Sequence, residues 1–286
     1  MTGPASAPDA WVRQTFPELS QVVPLSSGGQ KQVLAAQHQS HGEVVLKLLR
    51  PPVDLEVVRR EILAVQTIAS PRVPRILEQG VSPSQWGDVV WLIEERVHGV
   101  TLRQVLQGGP LAPVDVLRLG RDICEPLVAA ETAQIVHRDV KPENIIRSPD
   151  GHYWLIDFGL ARHLGLTSLT ATALPWGKLT VGYSPPEQFR NQKRAIDARC
   201  DLFALGVTLF ESATGANPYY LGAPDALEIL RRVERQPLPR LSLGLRTSPD
   251  LEDLVFAMTQ RRREHRPRSA REVAQWLDDI CTREGI

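Results

Sequence analysis

Eight residues, His137-Arg138-Asp139-Val140-Lys141-Pro142-Glu143-Asn144, constrain this chain more than any other stretch. Thirteen positions after Asn144 they are followed by Asp157-Phe158-Gly159. Together they supply a carboxylate able to accept a proton, cations beside it, and two oxygen-bearing side chains suited to a hard divalent cation. Residue types in that order suit the transfer of a phosphoryl group to a hydroxyl. The Asp-Phe-Gly triplet alone would recur by chance in many chains. Behind HRDxKxxN at loop-like spacing it is a specific signal.

Composition removes several other classes. The chain has 286 residues, enough to bury a sizeable core, and its 33 basic side chains balance 33 acidic ones. Nothing global therefore points to nucleic acid or an anionic membrane, and the densest basic run, Arg261-Arg262-Arg263, reads as an exposed helix end. Cys124, Cys200 and Cys281 are too widely spaced for a metal site and odd in number, which suits a reducing cytosol. Residues 1–15 open on a Pro-, Ala-, Ser- and Gly-rich stretch with neither a basic nor an apolar block, and read as a disordered lead-in. The longest mostly apolar run, Leu202 to Phe210, falls far short of the roughly 20 residues that span a bilayer. A cytoplasmic protein with no nucleic-acid or membrane partner is the expectation.

The pattern along the chain changes character near residue 100. Val44 to Leu49 and Val89 to Ile93 are β-branched and aliphatic, as strands are. Between them Pro51-Pro52 breaks the chain and Asp54 can cap a helix whose Leu55, Val58, Ile62 and Val65 recur at helical spacing. Beyond Thr101 the pattern is mainly helical, with candidates at Leu102 to Leu106, Val114 to Ala130, Leu202 to Thr214, Ala226 to Arg235, Leu251 to Arg261 and Ala270 to Cys281. Pro249 can open its helix after Ser248, and Ser269 with Glu272 forms a capping box. An α+β, two-lobed fold follows: a small β-rich lobe with one helix over residues 16–96, and a larger helical lobe over 97–286.

From about Val22 to Ile280 these ordered motifs resemble a serine/threonine protein kinase domain of the bacterial, eukaryotic-like kind, with a single kinase unit expected over 16–282. The resemblance implies that Lys47 holds the nucleotide phosphates and that Glu61, one helix later, ion-pairs with it. Asp139 then matches the catalytic base, Lys141 the neutraliser of the transferred group, and Asn144 and Asp157 the ligands of magnesium, with manganese as an alternative. His137 and Phe158 match residues packed in an apolar spine with Val65. Thr180, Glu187, Asp201 and Arg266 match residues that lock the catalytic loop and the segment after it, and they separate protein kinases from small-molecule phosphotransferases. Arg138 beside Asp139 implies activation by a phosphate, with Thr167, Ser168, Thr170 and Thr172 as candidate acceptors. ATP and protein substrates are the implied partners, with autophosphorylation in trans through a transient dimer.

Four positions depart from the family. The glycine-rich loop survives as Leu25-Ser26-Ser27-Gly28-Gly29-Gln30-Lys31-Gln32-Val33, where Ser26 and Lys31 stand at outer positions that usually carry glycine. Lys31 is placed to compensate with charge. Val45 replaces the usual alanine over the adenine, in an apolar slot with Val33, Ile146 and Ile156. Aligning Glu95-Arg96-Val97-His98-Gly99 with the hinge, where the Glu95 carbonyl and Val97 amide face adenine, puts Glu94 at the gatekeeper position behind it. A one-residue slip puts Ile93 there instead, and both registers stay open. A carboxylate at that depth must pair, with Lys47 a candidate, or take up a proton. The degraded loop and Glu94 keep a second reading in view, a pseudokinase that binds nucleotide or a partner without turnover.

Overall fold

A computed structural model describes residues 9–28, 31–52, 54–158, 181–190, 192, 195–241 and 249–285. Its first lobe is a five-stranded antiparallel sheet built from β1 (Leu19–Gly28), β2 (Lys31–His38), β3 (Gly42–Leu49), β4 (Ile76–Ser84) and β5 (Gly87–Glu95), in the order β1-β2-β3-β5-β4. Period-two alternation sorts β3 into two faces. Val44, Leu46 and Leu48 pack into one apolar cluster, whereas Leu49 joins Val90 and Leu92 in another on the opposite face, beneath helix α2 (Leu55–Val65). Asp54 caps α2 by accepting from the Val57 amide at 3.2 Å. Val58 and Ile62 are its buried residues.

The N-terminal expectation needs correction. Residues Asp9–Thr15 form a helix, α1, rather than a disordered lead-in. Val12 and the following Phe16 are almost fully buried against Val44, Leu46 and Leu48. Trp11 meets Phe16 and Trp86 edge-on with centroids 5.9 and 6.2 Å apart, and its indole N–H donates to the Pro83 carbonyl at 3.0 Å. Three large apolar side chains within six positions outweigh a composition that otherwise favours disorder.

The chain leaves β5 at Glu95 and enters the second lobe at β6 (Val100–Thr101). Gly99 sits in this crossover at φ 143°, and a Cβ there would lie 2.1 Å from the Arg147 carbonyl oxygen, so only glycine fits. Strand β6 pairs with β7 (Ile145–Arg147), which pairs with β8 (Tyr153–Leu155), in a three-stranded sheet under the cleft. Helices α3 (Leu102–Leu106), α4 (Pro113–Thr132), α5 (Pro186–Phe189), α6 (Ala198–Thr214), α7 (Ala226–Arg235), α8 (Pro249–Met258) and α9 (Ala270–Glu284) make up the rest of the lobe. Helix α6 is buried on every side from Cys200 to Ala213, and α4, α8 and α9 pack around it. Such an all-round apolar helix has weak periodicity, so only its length and central run were legible in the sequence. Helix α8 stops at Met258, short of the expected Arg261, because the chain turns to present the Gln260 and Arg261 carbonyls to Arg266. Ser269 caps α9 by accepting from Glu272 N at 3.1 Å, but the Glu272 carboxylate accepts from Arg268 N at 2.7 Å, one residue before the cap. Among the described residues no helix is long and apolar enough to cross a membrane.

Candidate active site

The loop after α4 is held by its backbone. The amides of His137 and Arg138 donate to the two carboxylate oxygens of Asp201 at 2.7 Å each. Arg138 takes a left-handed φ of 67°, and its carbonyl accepts from the Gln188 side chain at 2.7 Å. Asp201 stands one turn into α6, so the most buried helix of the lobe anchors the loop. Burial pushes its carboxyl up to about 7, even though the Arg138 and His137 amides act in the opposite sense.

His137 uses both ring nitrogens. Nδ1 accepts from the Asp139 amide at 3.2 Å, so Nε2 carries the proton and donates to the Ile156 carbonyl at 2.9 Å. The ring lies edge-on to Phe158 with centroids 4.4 Å apart. Burial holds its pKa below the ordinary range, so the imidazole is neutral and serves as a strut. A backbone bond from Ile156 N to Asn144 O, 2.9 Å long, ties the same two segments together.

Asp139, Lys141 and Asn144 converge. The Lys141 ammonium lies 2.7 and 2.8 Å from the two carboxylate oxygens of Asp139. A short 3-10 turn, Pro142–Asn144, swings Asn144 back so that Nδ2 donates to both the carbonyl and the carboxylate of Asp139, each at 2.8 Å. With its amino group spent on Asp139, the atom that Asn144 can offer a cation is Oδ1.

Asp157, in the left-handed region at φ 69°, gathers the cations of the upper lobe. Lys31 Nζ lies 2.7 Å and Lys47 Nζ 2.8 Å from its Oδ1. Burial would raise the Asp157 pKa, but these two ammonium groups hold it well below the usual carboxylate range. The pattern reverses at the lysines. Burial lowers Lys31 despite Asp157, whereas for Lys47 the charges of Asp157 and Glu94 outweigh burial and raise it. An oxygen donor held ionised among cations, with an amide oxygen nearby on the tied Asn144 segment, fits a hard divalent ion.

The expected Lys47–Glu61 pair is not formed. The ion pairs of Lys47 go to Asp157 and to Glu94, the latter a very short contact between its Nζ and Glu94 Oε2. Sheet register explains why. Val45 faces Glu94 and Lys47 faces Leu92 across β3 and β5, which puts Lys47 and Glu94 diagonally opposite on one face. The same alternation settles the gatekeeper register, because Ile93 is fully buried in the cluster on the other face, with Phe16 and Leu46. Val33, beside Lys47 on β2, and Val45 are half-buried. Ile146 and Val97 are likewise half-buried, on β7 and in the crossover. Ser26 lies opposite Val33 on β1, and Gly28 opposite Lys31 at the tip of the hairpin. The Glu95 amide donates to Arg75 O at 2.9 Å and its carboxylate pairs with Arg75 at 3.2 Å.

Glu187 and Arg266 meet in a bidentate pair of 2.6 and 3.1 Å. All five guanidinium N–H groups have acceptors, because the Gln260, Arg199 and Arg261 carbonyls take the remaining three. The Phe203 ring lies 4.9 Å from its charged carbon. Gly159, Thr167, Ser168, Thr170, Thr172 and Thr180 fall outside the described residues, as do Gly29 and Gln30.

Sequence reasoning missed a second charged cluster beside the loop. Arg103 donates to Glu143 at 2.7 Å, to Glu211 at 2.6 Å and to the Tyr183 hydroxyl at 2.6 Å, and that hydroxyl donates in a very short bond to Glu211. The four residues line a cavity of about 590 Å³ with Asn217 and Tyr220. The one available signal was Glu211, an acid late in a mostly apolar helix.

A two-lobed fold with this loop, its Asp201 anchor and the Glu187–Arg266 lock has the architecture of the protein-kinase type. Residues 20–277 match the protein kinase domain family, and the chain belongs to it. It is 32% identical over 270 residues to serine/threonine-protein kinase PknB of Mycolicibacterium smegmatis, which covers 91% of this chain and 42% of that protein. PknB of Mycobacterium tuberculosis is 30% identical over 282 residues, 96% of this chain and 43% of the relative. PknL of the same species is 35% identical over 205 residues, 71% of this chain and 49% of the relative. The chain thus spans less than half the length of the curated relatives it matches. Members of this family generally use ATP and a divalent cation.

Proposed function

We propose that this chain is an ATP-dependent serine/threonine protein kinase that transfers the γ-phosphoryl group to protein hydroxyls. The observation that carries the reading is the Asp139 carboxylate, aimed by Lys141 and Asn144 on a loop whose amides are fixed by Asp201. In the reaction the substrate hydroxyl oxygen forms a bond to the γ-phosphorus as the bond to the β–γ bridging oxygen breaks. ADP leaves and the hydroxyl proton passes to Asp139. Lys141 sits beside Asp139 to balance charge on the group in transit, and Lys47 orients the remaining phosphates. A divalent ion, magnesium or in its place manganese, held by Asp157 and Asn144, would supply charge neutralisation on the phosphate oxygens. Val33, Val45, Ile146 and the Glu95–Val97 crossover form the adenine slot. We place the protein in the cytoplasm, acting on protein substrates and on its own activation segment.

Incubating the purified chain with γ-labelled ATP and either cation, followed by phosphoamino-acid analysis, tests this reading. Label on serine or threonine is expected, whereas label confined to tyrosine would refute the specificity. The second reading, a nucleotide-binding scaffold, draws on the degraded glycine loop and on Lys31 occupying Asp157. It requires that nucleotide bind and no label appear.

A further inference from the structure

We infer that Lys31, at the tip of the β1–β2 hairpin, competes with a divalent cation for Asp157, so that this chain takes up the ion only as the lysine lets go. The inference rests on the kinase reading for the role of Asp157. What it adds is a second, opposing role for a side chain of the hairpin.

Two ammonium groups share one atom. Lys31 Nζ lies 2.7 Å and Lys47 Nζ 2.8 Å from Asp157 Oδ1. A carboxylate oxygen has two lone-pair directions, and two ammonium donors use both. A divalent ion that takes Oδ1 must therefore displace one of them. An ion on the other oxygen stands within a few ångströms of both positive charges, at a depth where solvent screens them little.

The two lysines are not equivalent. Lys47 stands on β3, a strand paired on both sides, and its side chain is 4% exposed. It also pairs with the buried Glu94, whose carboxylate its departure would leave uncompensated. Lys31 opens β2 opposite Gly28, and its side chain is 18% exposed. Among the described residues its ion pair is with Asp157 alone. A long stem close to solvent lets that ammonium swing out to water. Lys31 is the one that yields.

Residue type carries the rest. Position 31 stands where glycine is usual, and glycine has no charge to offer a carboxylate. Here the hairpin that covers the phosphates in the kinase reading brings its own cation to the ligand of the ion. Once released, the ammonium has the nucleotide phosphates as its alternative anion. Such an exchange keeps the net effect of Lys31 on nucleotide affinity small, while its effect on the ion is large.

The test measures Mn2+ binding to the full chain without nucleotide, by electron paramagnetic resonance of the free ion, with a thermal melt on each variant. Wild type is compared with Lys31→Met, which keeps the stem without the charge, and with Lys31→Arg, which keeps the charge. Lys31→Met is expected to bind Mn2+ about tenfold more tightly than wild type, and Lys31→Arg within about threefold of it. Adding Asp157→Asn should abolish the gain. Equal or weaker affinity in Lys31→Met overturns the inference, as does an absence of measurable binding in both proteins, because Lys31 is then not what keeps the ion out. A gain that persists with Asp157→Asn also overturns it. The ion would then sit elsewhere, as on His38, His41 and Glu78, whose ligand atoms lie within 4.8 Å of one another. If Lys31→Met does not fold, Lys31→Gly takes its place. No step requires turnover, so an absence of phosphoryl transfer in wild type would sink the kinase reading and leave the competition measured. Phosphoryl transfer with unchanged Mn2+ affinity would overturn the competition and leave that reading standing.

Discussion

The loop that carries Asp139 and the Lys47 face of the sheet sit across one cleft and are built on different terms. Below the cleft, named groups are tied to the most buried helix or to each other: Asp201 takes two loop amides, His137 spends both ring nitrogens, and Arg266 spends all five donors. Above it, charges are arranged in ion pairs between side chains: Lys31 with Asp157, and Lys47 with Asp157 and Glu94. Hydrogen bonds from backbone amides fix position because the peptide cannot rotate away. Pairs between long side chains can be exchanged for a different partner at little cost in geometry. The contrast teaches that the lower half is held by backbone hydrogen bonds, while the upper half depends on which side chains reach one another.

Substitutions can separate the two halves, and the largest effect belongs below the cleft. Asp139→Asn should lower phosphoryl transfer by about a hundred- to ten-thousand-fold, read from single-turnover rates, because the proton acceptor is lost. Glu187→Ala leaves the Arg266 guanidinium buried without its carboxylate and should cost about 3–5 kcal/mol in a urea melt. A urea effect near zero would mean that the lock is decorative. Asp201 gives a pH signature. Its folded pKa is raised to about 7, so its favourable contribution is complete below the unfolded aspartate range and is lost as pH rises through about 7. Asp201→Asn should therefore flatten the fall in stability between about pH 4 and pH 8, and a slope equal to wild type would contradict the raised value.

Above the cleft the expected effects are smaller. Lys31→Ala removes a partly exposed cation and should raise the apparent ATP KM by about two- to fivefold, with kcat nearly held. An unchanged KM would mean that Lys31 neutralises Asp157 and does nothing for nucleotide.

What the sequence made legible follows the same division. The HRDxKxxN and Asp-Phe-Gly motifs, Asp201, Glu187 and Arg266 are legible because each matches a family motif, although Asp201 reaches the loop from 64 residues away and Arg266 reaches Glu187 from 79. Lys47 is legible from its strand, and the family resemblance points to Glu61 as its partner, but a resemblance does not say which of two carboxylates reaches an ammonium. Cross-strand register decides that, and register is set by pairing between segments some forty-five residues apart. Average composition over residues 1–15 favours a lead-in, whereas a few side chains, Trp11, Val12 and the adjoining Phe16, dominate the packing of Asp9–Thr15. The Arg103–Glu143–Tyr183–Glu211 cluster draws one residue from each of four distant segments, and only Glu211, buried late in its helix, hints at it locally.

The most direct test of the central claim is single-turnover transfer from γ-labelled ATP, measured with nucleotide binding in the same samples of wild type and Asp139→Asn. Wild-type protein should place label on a serine or threonine hydroxyl, and the variant should bind ATP with similar affinity yet place almost none. Equal labelling by both proteins, or nucleotide binding by both with no labelling by either, would contradict the assignment of Asp139 as the base of a working kinase.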